Sequence, residues 1–427
     1  MSAGAAASPI VRAWRWLRNP VFWMPVADAF AVLSALVLPW STSLLGIFAA
    51  CWLGAAALIF DYPAYLRFLK RPIGYLPFAF FGLVAVGTLW SDAPWAERIY
   101  AVGPAVKLLL LPALLFHYQR SSRGMWILVA FLVSCALLMC LSWIVLFAPE
   151  FKVTATRSPG VPVKNYIDQS QEFALCMFAL APVVLGLLDQ RRFALGAVCA
   201  GLVLGFFVNL MFVAAARTAL VYMPVLLMLF AARYLDRSAA TLLFATAAVA
   251  AVLVWWTSPY IRERIGGVAT EYQQYREENA VTSAGERLEY WRKSLTFVAN
   301  APLFGNGTGA IKRLFDRDAI GQSGVSAEVI GNPHNQTLNV AVQWGLLGCV
   351  VLYSMWLCHL FLFRGTDLAA WIGLLVVVQN MVSSLFNSHL FDFHEGWMYV
   401  LGTGVTGGMV LKASLREASA GPRNPLP

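Results

Sequence analysis

Charge is scarce in this sequence. Asp, Glu, Lys and Arg make up 12% of its 427 residues, against 59% hydrophobic residues and a mean hydropathy of +0.67. Soluble domains carry about twice that charge density, which excludes a cytoplasmic globular enzyme. Disorder is excluded as well, because apolar and aromatic content this high demands burial. Paired cysteine motifs are missing too. All seven cysteines (51, 135, 140, 176, 199, 349 and 358) lie in apolar stretches, with no CxxC or zinc spacing, so a disulfide framework or zinc site is not expected. No Walker A, GxGxxG or GxSxG element occurs, which argues against direct use of ATP, a dinucleotide or a serine nucleophile.

What remains is an all-α polytopic membrane protein. A spanning helix needs about 20 mostly apolar residues. Such stretches fall near 21–40, 43–60, 75–90, 99–117, 125–148, 172–189, 193–213, 218–235, 239–257, 337–363, 368–386 and 397–412, about twelve in all. The chain divides accordingly into nine spans over 1–257, a long loop at 258–336, three spans over 337–412 and a tail at 413–427. No cleavable signal peptide is evident, since the first span runs into the second without an A-x-A site.

Basic residues set the expected orientation. With the N-terminus inside, the inner segments hold Arg12, Arg15, Arg18, Arg67, Lys70, Arg71, Arg120, Arg123, Arg191, Arg192, Arg233, Arg237, Arg364, Lys412, Arg416 and Arg423. The short outer connections hold only Arg98, Lys152, Arg157, Lys164 and Arg217. This is the positive-inside pattern, and it accounts for the net charge of +9 without nucleic acid. Both termini are predicted cytoplasmic, and the 258–336 loop outside.

A polar connection of that length is usually functional. Ser283-Ala-Gly-Glu286 reads as a capping box. Leu288, Trp291, Leu295 and Val298 then recur at helical spacing, an apolar face for the membrane or for the spans. The helix should stop before Pro302; Phe304-Gly-Asn-Gly-Thr-Gly309 reads as turns, with a second helix at 310–317.

Asn332-Pro-His-Asn-Gln336 sits where this loop meets the next span. Pro333 suits the first turn of a helix, which would put His334 at the mouth of the span between carboxamides able to orient it or bind hydroxyls. Histidine titrates near neutral pH and can take a proton from a sugar hydroxyl; an interfacial histidine wetted by headgroups is the plainer alternative. Arg217 lies between two apolar runs with no acid nearby in sequence, a costly position without a partner. Arg287 falls in the first turn of the loop helix, where the helix dipole favours an anion. Guanidinium groups match phosphate oxygens in a two-pronged geometry, so two of them converging would hold a diphosphate and stabilise charge as a sugar–phosphate bond breaks. The alternative is that Arg217 snorkels to headgroups and Arg287 pairs with Glu286 or Glu289. Lys107, inside a span, is a third candidate cation, and Asp28 is expected to pair with a neighbouring helix. Between Asn387 and Glu395, His389, Asp392 and His394 invite a metal, but the spacing matches no ligand motif; His389 and Asp392 read better as supports of the site.

The layout resembles the bacterial O-antigen ligases, whose superfamily includes O-antigen polymerases and membrane O-oligosaccharyltransferases. The residues carrying the resemblance are Arg217, the segment from Gly285-Glu-Arg-Leu-Glu-Tyr-Trp to Pro302-Leu-Phe-Gly-Asn-Gly-Thr-Gly309, and Pro333-His-Asn-Gln-Thr-Leu338. The resemblance implies a glycosyltransferase of the bacterial inner membrane that works on the periplasmic side without metal, cofactor or nucleotide. Its donor would be O-antigen on undecaprenyl diphosphate, its acceptor the lipid A-core, with membrane lipids around both. It implies that His334 is the general base and that Arg217 and Arg287 bind the diphosphate, with Lys107 and Gln336 as weaker assignments; Asn332, Asn335, His389 and Asp392 are expected to support the site on their own chemistry. A polymerase with the same donor, or a flippase for a lipid-linked glycan, stays open at this point.

Overall fold

The computed structural model describes residues 18–156, 158–214 and 216–420. Arg12, Arg15, Arg157 and Arg423, counted above, and the last seven residues of the tail lie outside them. The described residues are helical, without strands.

Two helices, α1 (Pro20–Val37) and α2 (Thr42–Ile59), pack along each other, and a short α3 (Tyr62–Phe68) leads to α4 (Pro72–Val86). Next, α5 (Trp95–Val106) passes through a 3-10 turn at Lys107–Leu109 into α6 (Leu110–Tyr118). Then come α7 (Gly124–Phe147), α8 (Tyr166–Asp189), α9 (Phe193–Phe212), α10 (Ala219–Tyr234) and α11 (Arg237–Thr257). The polar segment holds α12 (Pro259–Glu278), α13 (Ser283–Asn300) and α14 (Ala310–Asp318). The chain closes with α15 (Gln336–Leu362), α16 (Leu368–Ser383) and α17 (Phe393–Ala420).

All twelve expected spans fall on helices. Among the described residues nine helical stretches are long and apolar enough to cross a membrane; α10 and α16 are apolar but shorter, and α17 carries Glu395 in its first turn and Lys412, Arg416 and Glu417 toward its end. The tail expected from residue 413 continues α17 as far as Ala420.

The core lies where α6, α8, α16 and α17 meet. Close approach of α17 to α6 depends on glycine: a Cβ on Gly408 would stand 2.5 Å from the Tyr118 Cβ, and one on Gly404 2.6 Å from that of Leu114. Small residues that let backbones approach are what helix association in lipid uses, where burial of apolar area between helices gains little. Asp28 has its expected partners: Oδ1 accepts from His117 (2.9 Å) and Oδ2 from Ser121 (2.9 Å), tying α1 to the end of α6.

Three local expectations change. First, α12 was not legible, because its polar sequence with adjacent Gly266 and Gly267 has no apolar stripe. Second, the cap of α13 is Thr282, whose hydroxyl accepts the Gly285 amide, one residue before the expected capping box. The side of α13 turned inward carries Glu289, Tyr290, Lys293 and Phe297, while Leu288 and Leu295 face out. Third, Pro333 is not in a helix turn. Asn335 caps α15 through the Leu338 amide (3.0 Å), so His334 stands two residues outside the helix.

Candidate active site

His334 has φ of 53°, in the left-handed region that costs a residue other than glycine on the order of 1 kcal/mol. Polar contacts hold it there. Its amide donates to Asn332 Oδ1 (2.9 Å), an oxygen that also accepts the Ser388 hydroxyl (2.7 Å). Asn335 Nδ2 donates to the Leu385 carbonyl (3.0 Å), the Gln336 amide to that of Ser384 (2.9 Å), and Gln336 Oε1 accepts the Leu390 amide (3.1 Å). The Asn-Pro-His-Asn-Gln segment is thereby stitched to the connection between α16 and α17.

That connection also fixes the imidazole. His334 Nδ1 lies 2.8 Å from Asn387 Oδ1, and Asn387 Nδ2 donates to Asp392 Oδ2 (2.8 Å). A carboxylate accepts only, so the amide must face Asp392 with its nitrogen and His334 with its oxygen. An amide oxygen also accepts only, so Nδ1 carries the hydrogen and Nε2 of the neutral ring keeps its lone pair. Asn387 is therefore central to the site, although its sequence gave no distinctive motif.

Behind it, His389 is fully buried, with Nδ1 3.1 Å from Asp392 and 3.5 Å from Glu395. Burial disfavours its charge, but the two acids outweigh burial and raise its pKa to about 10. These three side chains bring ligand atoms within 4.8 Å of one another. In its protonated form the imidazolium balances the two acids. Lys107 donates to the backbone carbonyls of Phe391 (2.9 Å) and Asp392 (2.5 Å), so it grips this same connection. His394, the other candidate of the metal cluster, pairs instead with Glu172 and Lys164. Asp316-Arg-Asp318 has a DxD spacing, but Asp318 is 2.7 Å from Lys293.

On the other side of His334 is α13. Tyr290 lies over the imidazole, ring centroids 6.2 Å apart, and its hydroxyl bonds to Glu328. One turn earlier stand Glu286 and Arg287. Burial and the neighbouring Glu328 raise the Glu286 pKa, and the proximity of His334 opposes the rise. Burial, with nearby Arg217 adding to it, lowers that of Arg287. Arg287 has neither of the acid partners proposed from sequence: its Nη1 donates to the Ser283 carbonyl and hydroxyl, and its buried Nε has no partner among the described residues.

Arg217 has the partner its position demanded, 54 residues away on α12. Its guanidinium spans both oxygens of Glu271 (2.9 and 2.5 Å), and its Nε donates to the Arg264 carbonyl (3.1 Å). The bond to Arg217 holds the Glu271 carboxyl below the usual range against the effect of burial. Arg217 and Arg264 border an open cleft with Leu220, Ile265 and Val268, an apolar wall below two cations. The charges of Arg217 and Arg287 are thus close enough to interact, as are those of Glu286 and His334, while Lys107 is turned to the support behind the imidazole.

A helical bundle of membrane-span length carrying an oriented imidazole is the class that structure and site define. Residues 200–353 match the Wzy_C family, described as O-Antigen ligase. The match includes Arg217, all three loop helices and His334. A protein of Haemophilus influenzae described as uncharacterized is 29% identical over 111 residues, which are 25% of this chain and 28% of that protein. The matched stretch therefore spans little more than a quarter of that relative's length.

Proposed function

We propose that this chain is a metal-independent inverting glycosyltransferase, an O-antigen ligase that moves glycan from undecaprenyl diphosphate to lipid A-core on the periplasmic face of a bacterial inner membrane. The observation that carries the reading is one imidazole, with its hydrogen fixed at Nδ1, against the helix that bears Arg287, whose charge is close enough to that of Arg217 to interact with it. Nε2 of His334 takes the proton of the acceptor hydroxyl. The hydroxyl oxygen attacks the anomeric carbon, and the bond from that carbon to the phosphate oxygen breaks. The electron pair leaves with the diphosphate, whose charge Arg217 and Arg287 hold. One direct displacement inverts the anomeric carbon. Both substrates are lipid-anchored, which favours a site at headgroup level that opens sideways to lipid.

The positive-inside count supports cytoplasmic termini and an outer α12–α14 segment. Purified protein with both lipids in detergent tests the reading: product forms without any gradient, and a transporter would give none. Ligase and polymerase differ in acceptor. Loss of a ligase leaves polymerised lipid-linked glycan and bare core, whereas loss of a polymerase leaves core capped by single repeat units.

A further inference from the structure

A second cleft, of about 510 Å³, lies against Asn332 and Asp392. That volume lies in the range that small-molecule sites occupy, about 300–1,000 Å³. Tyr100 and Glu97 of α5, Lys312 of α14, Asn332, Asn339 and Gln343 of α15, and Asp392 are among the residues that line it. Two of them belong also to the support of the imidazole: Asn332 through the His334 amide and Asp392 through Asn387.

We propose that this cleft is a saccharide subsite, holding a neutral sugar unit of one of the two glycans. The inference rests on the glycosyl-transfer reading for its purpose, but on the cleft's own chemistry for its ligand. Asn332 spends its oxygen on His334, Ser388 and, at 3.4 Å, Asn339, while its amide hydrogens have no partner among the described residues. Asp392 uses Oδ2 on Asn387, and its Oδ1 accepts nothing among the described residues. Spare donors and acceptors side by side suit hydroxyl groups, which both give and take hydrogen bonds. An anion is disfavoured, because Glu97 and Asp392 are acids and Lys312, the cation here, is already 3.1 Å from Glu97. Tyr100, 83% exposed at the mouth, offers an uncovered ring for the apolar face of a sugar.

The test uses the full chain in detergent and two free probes: delipidated core oligosaccharide and the delipidated repeat oligosaccharide of the host. Saturation-transfer NMR reads binding to wild type, Tyr100→Ala, Asn339→Ala and His334→Ala, with thermal melting as the folding control. One probe is expected to bind wild type and His334→Ala alike, and at least fivefold more weakly the two cleft variants. If it is the core oligosaccharide, the cleft serves the acceptor; if the repeat, the donor. Should neither saccharide bind wild type, or both cleft variants bind as wild type does, the proposal falls. Binding lost in the cleft variants together with undiminished transfer by His334→Ala would leave the cleft standing and overturn the base assignment instead.

Discussion

At the scale of single residues, the imidazole and the guanidinium groups differ in how free they are. His334 is held on its Nδ1 side alone, and replacing it with Ala should cut transfer by about 10²–10⁴-fold, the usual contribution of a general base, with donor binding retained. Full activity in that variant, measured with purified lipids, would remove the base from the mechanism. Arg217 is clasped by Glu271, so a diphosphate has to displace a carboxylate to reach it. Glu271→Gln should therefore lower the KM for donor by up to about fivefold, the worth of a partly exposed ion pair; a higher KM would mean that Glu271 positions Arg217 rather than competes for it. Arg287→Lys should recover little of what Arg287→Ala loses, because an ammonium has no fork to match a phosphate. His389 adds a pH dependence to stability. Its pKa of about 10 exceeds the 6.5 of a free imidazole, so its contribution is fully present below pH 6.5 and is lost as pH rises through 10. Melting temperatures of wild type should fall over that window more than those of His389→Gln.

Elements explain why these residues meet. The connection between α16 and α17 orients His334, and that connection is tied to the chain before α15 by amides and side-chain carboxamides rather than by apolar packing. Beneath α13 and α14, a small cluster of Tyr290, Phe297, Ile311, Phe315 and Val342 seats the polar segment on α15, apart from the main core. Farther down, α17 sits on α6 through Gly404 and Gly408. Gly408→Val would force apart α6 and α17 where they meet at Tyr118 and Leu115. It should cost about 1–3 kcal/mol, as overpacking of a filled core does, and a melting curve in detergent reads the loss. Sequence patterning found α13 and α14 but placed the buried face of α13 one step around. The reason is that the helix buries Tyr290 and Phe297 against the small cluster, with Glu289 and Lys293 paired beside them, and leaves a leucine stripe outside.

For the molecule as a whole, the proposed reaction needs neither nucleotide nor metal, so chelators should leave transfer unchanged. Inhibition by a chelator, restored by a divalent ion, would reassign His389, Asp392 and Glu395 as ligands. Sequence alone determined the membrane class, the helices that make the bundle, the polar segment within it and three of the residues proposed for chemistry. Those follow from local quantities: hydropathy over a window of one span, charge at its ends, and cations in places where lipid makes them costly. Tertiary structure alone decided that Glu271 answers Arg217 across 54 residues, that Asn387 and Asp392 fix the hydrogen on His334, and that Lys107 serves the backbone. Each is a pairing between distant points of the chain. Hydrogen bonds and ion pairs of that kind depend on which side chains the packed helices bring within about 3 Å, a distance that no spacing along the sequence encodes.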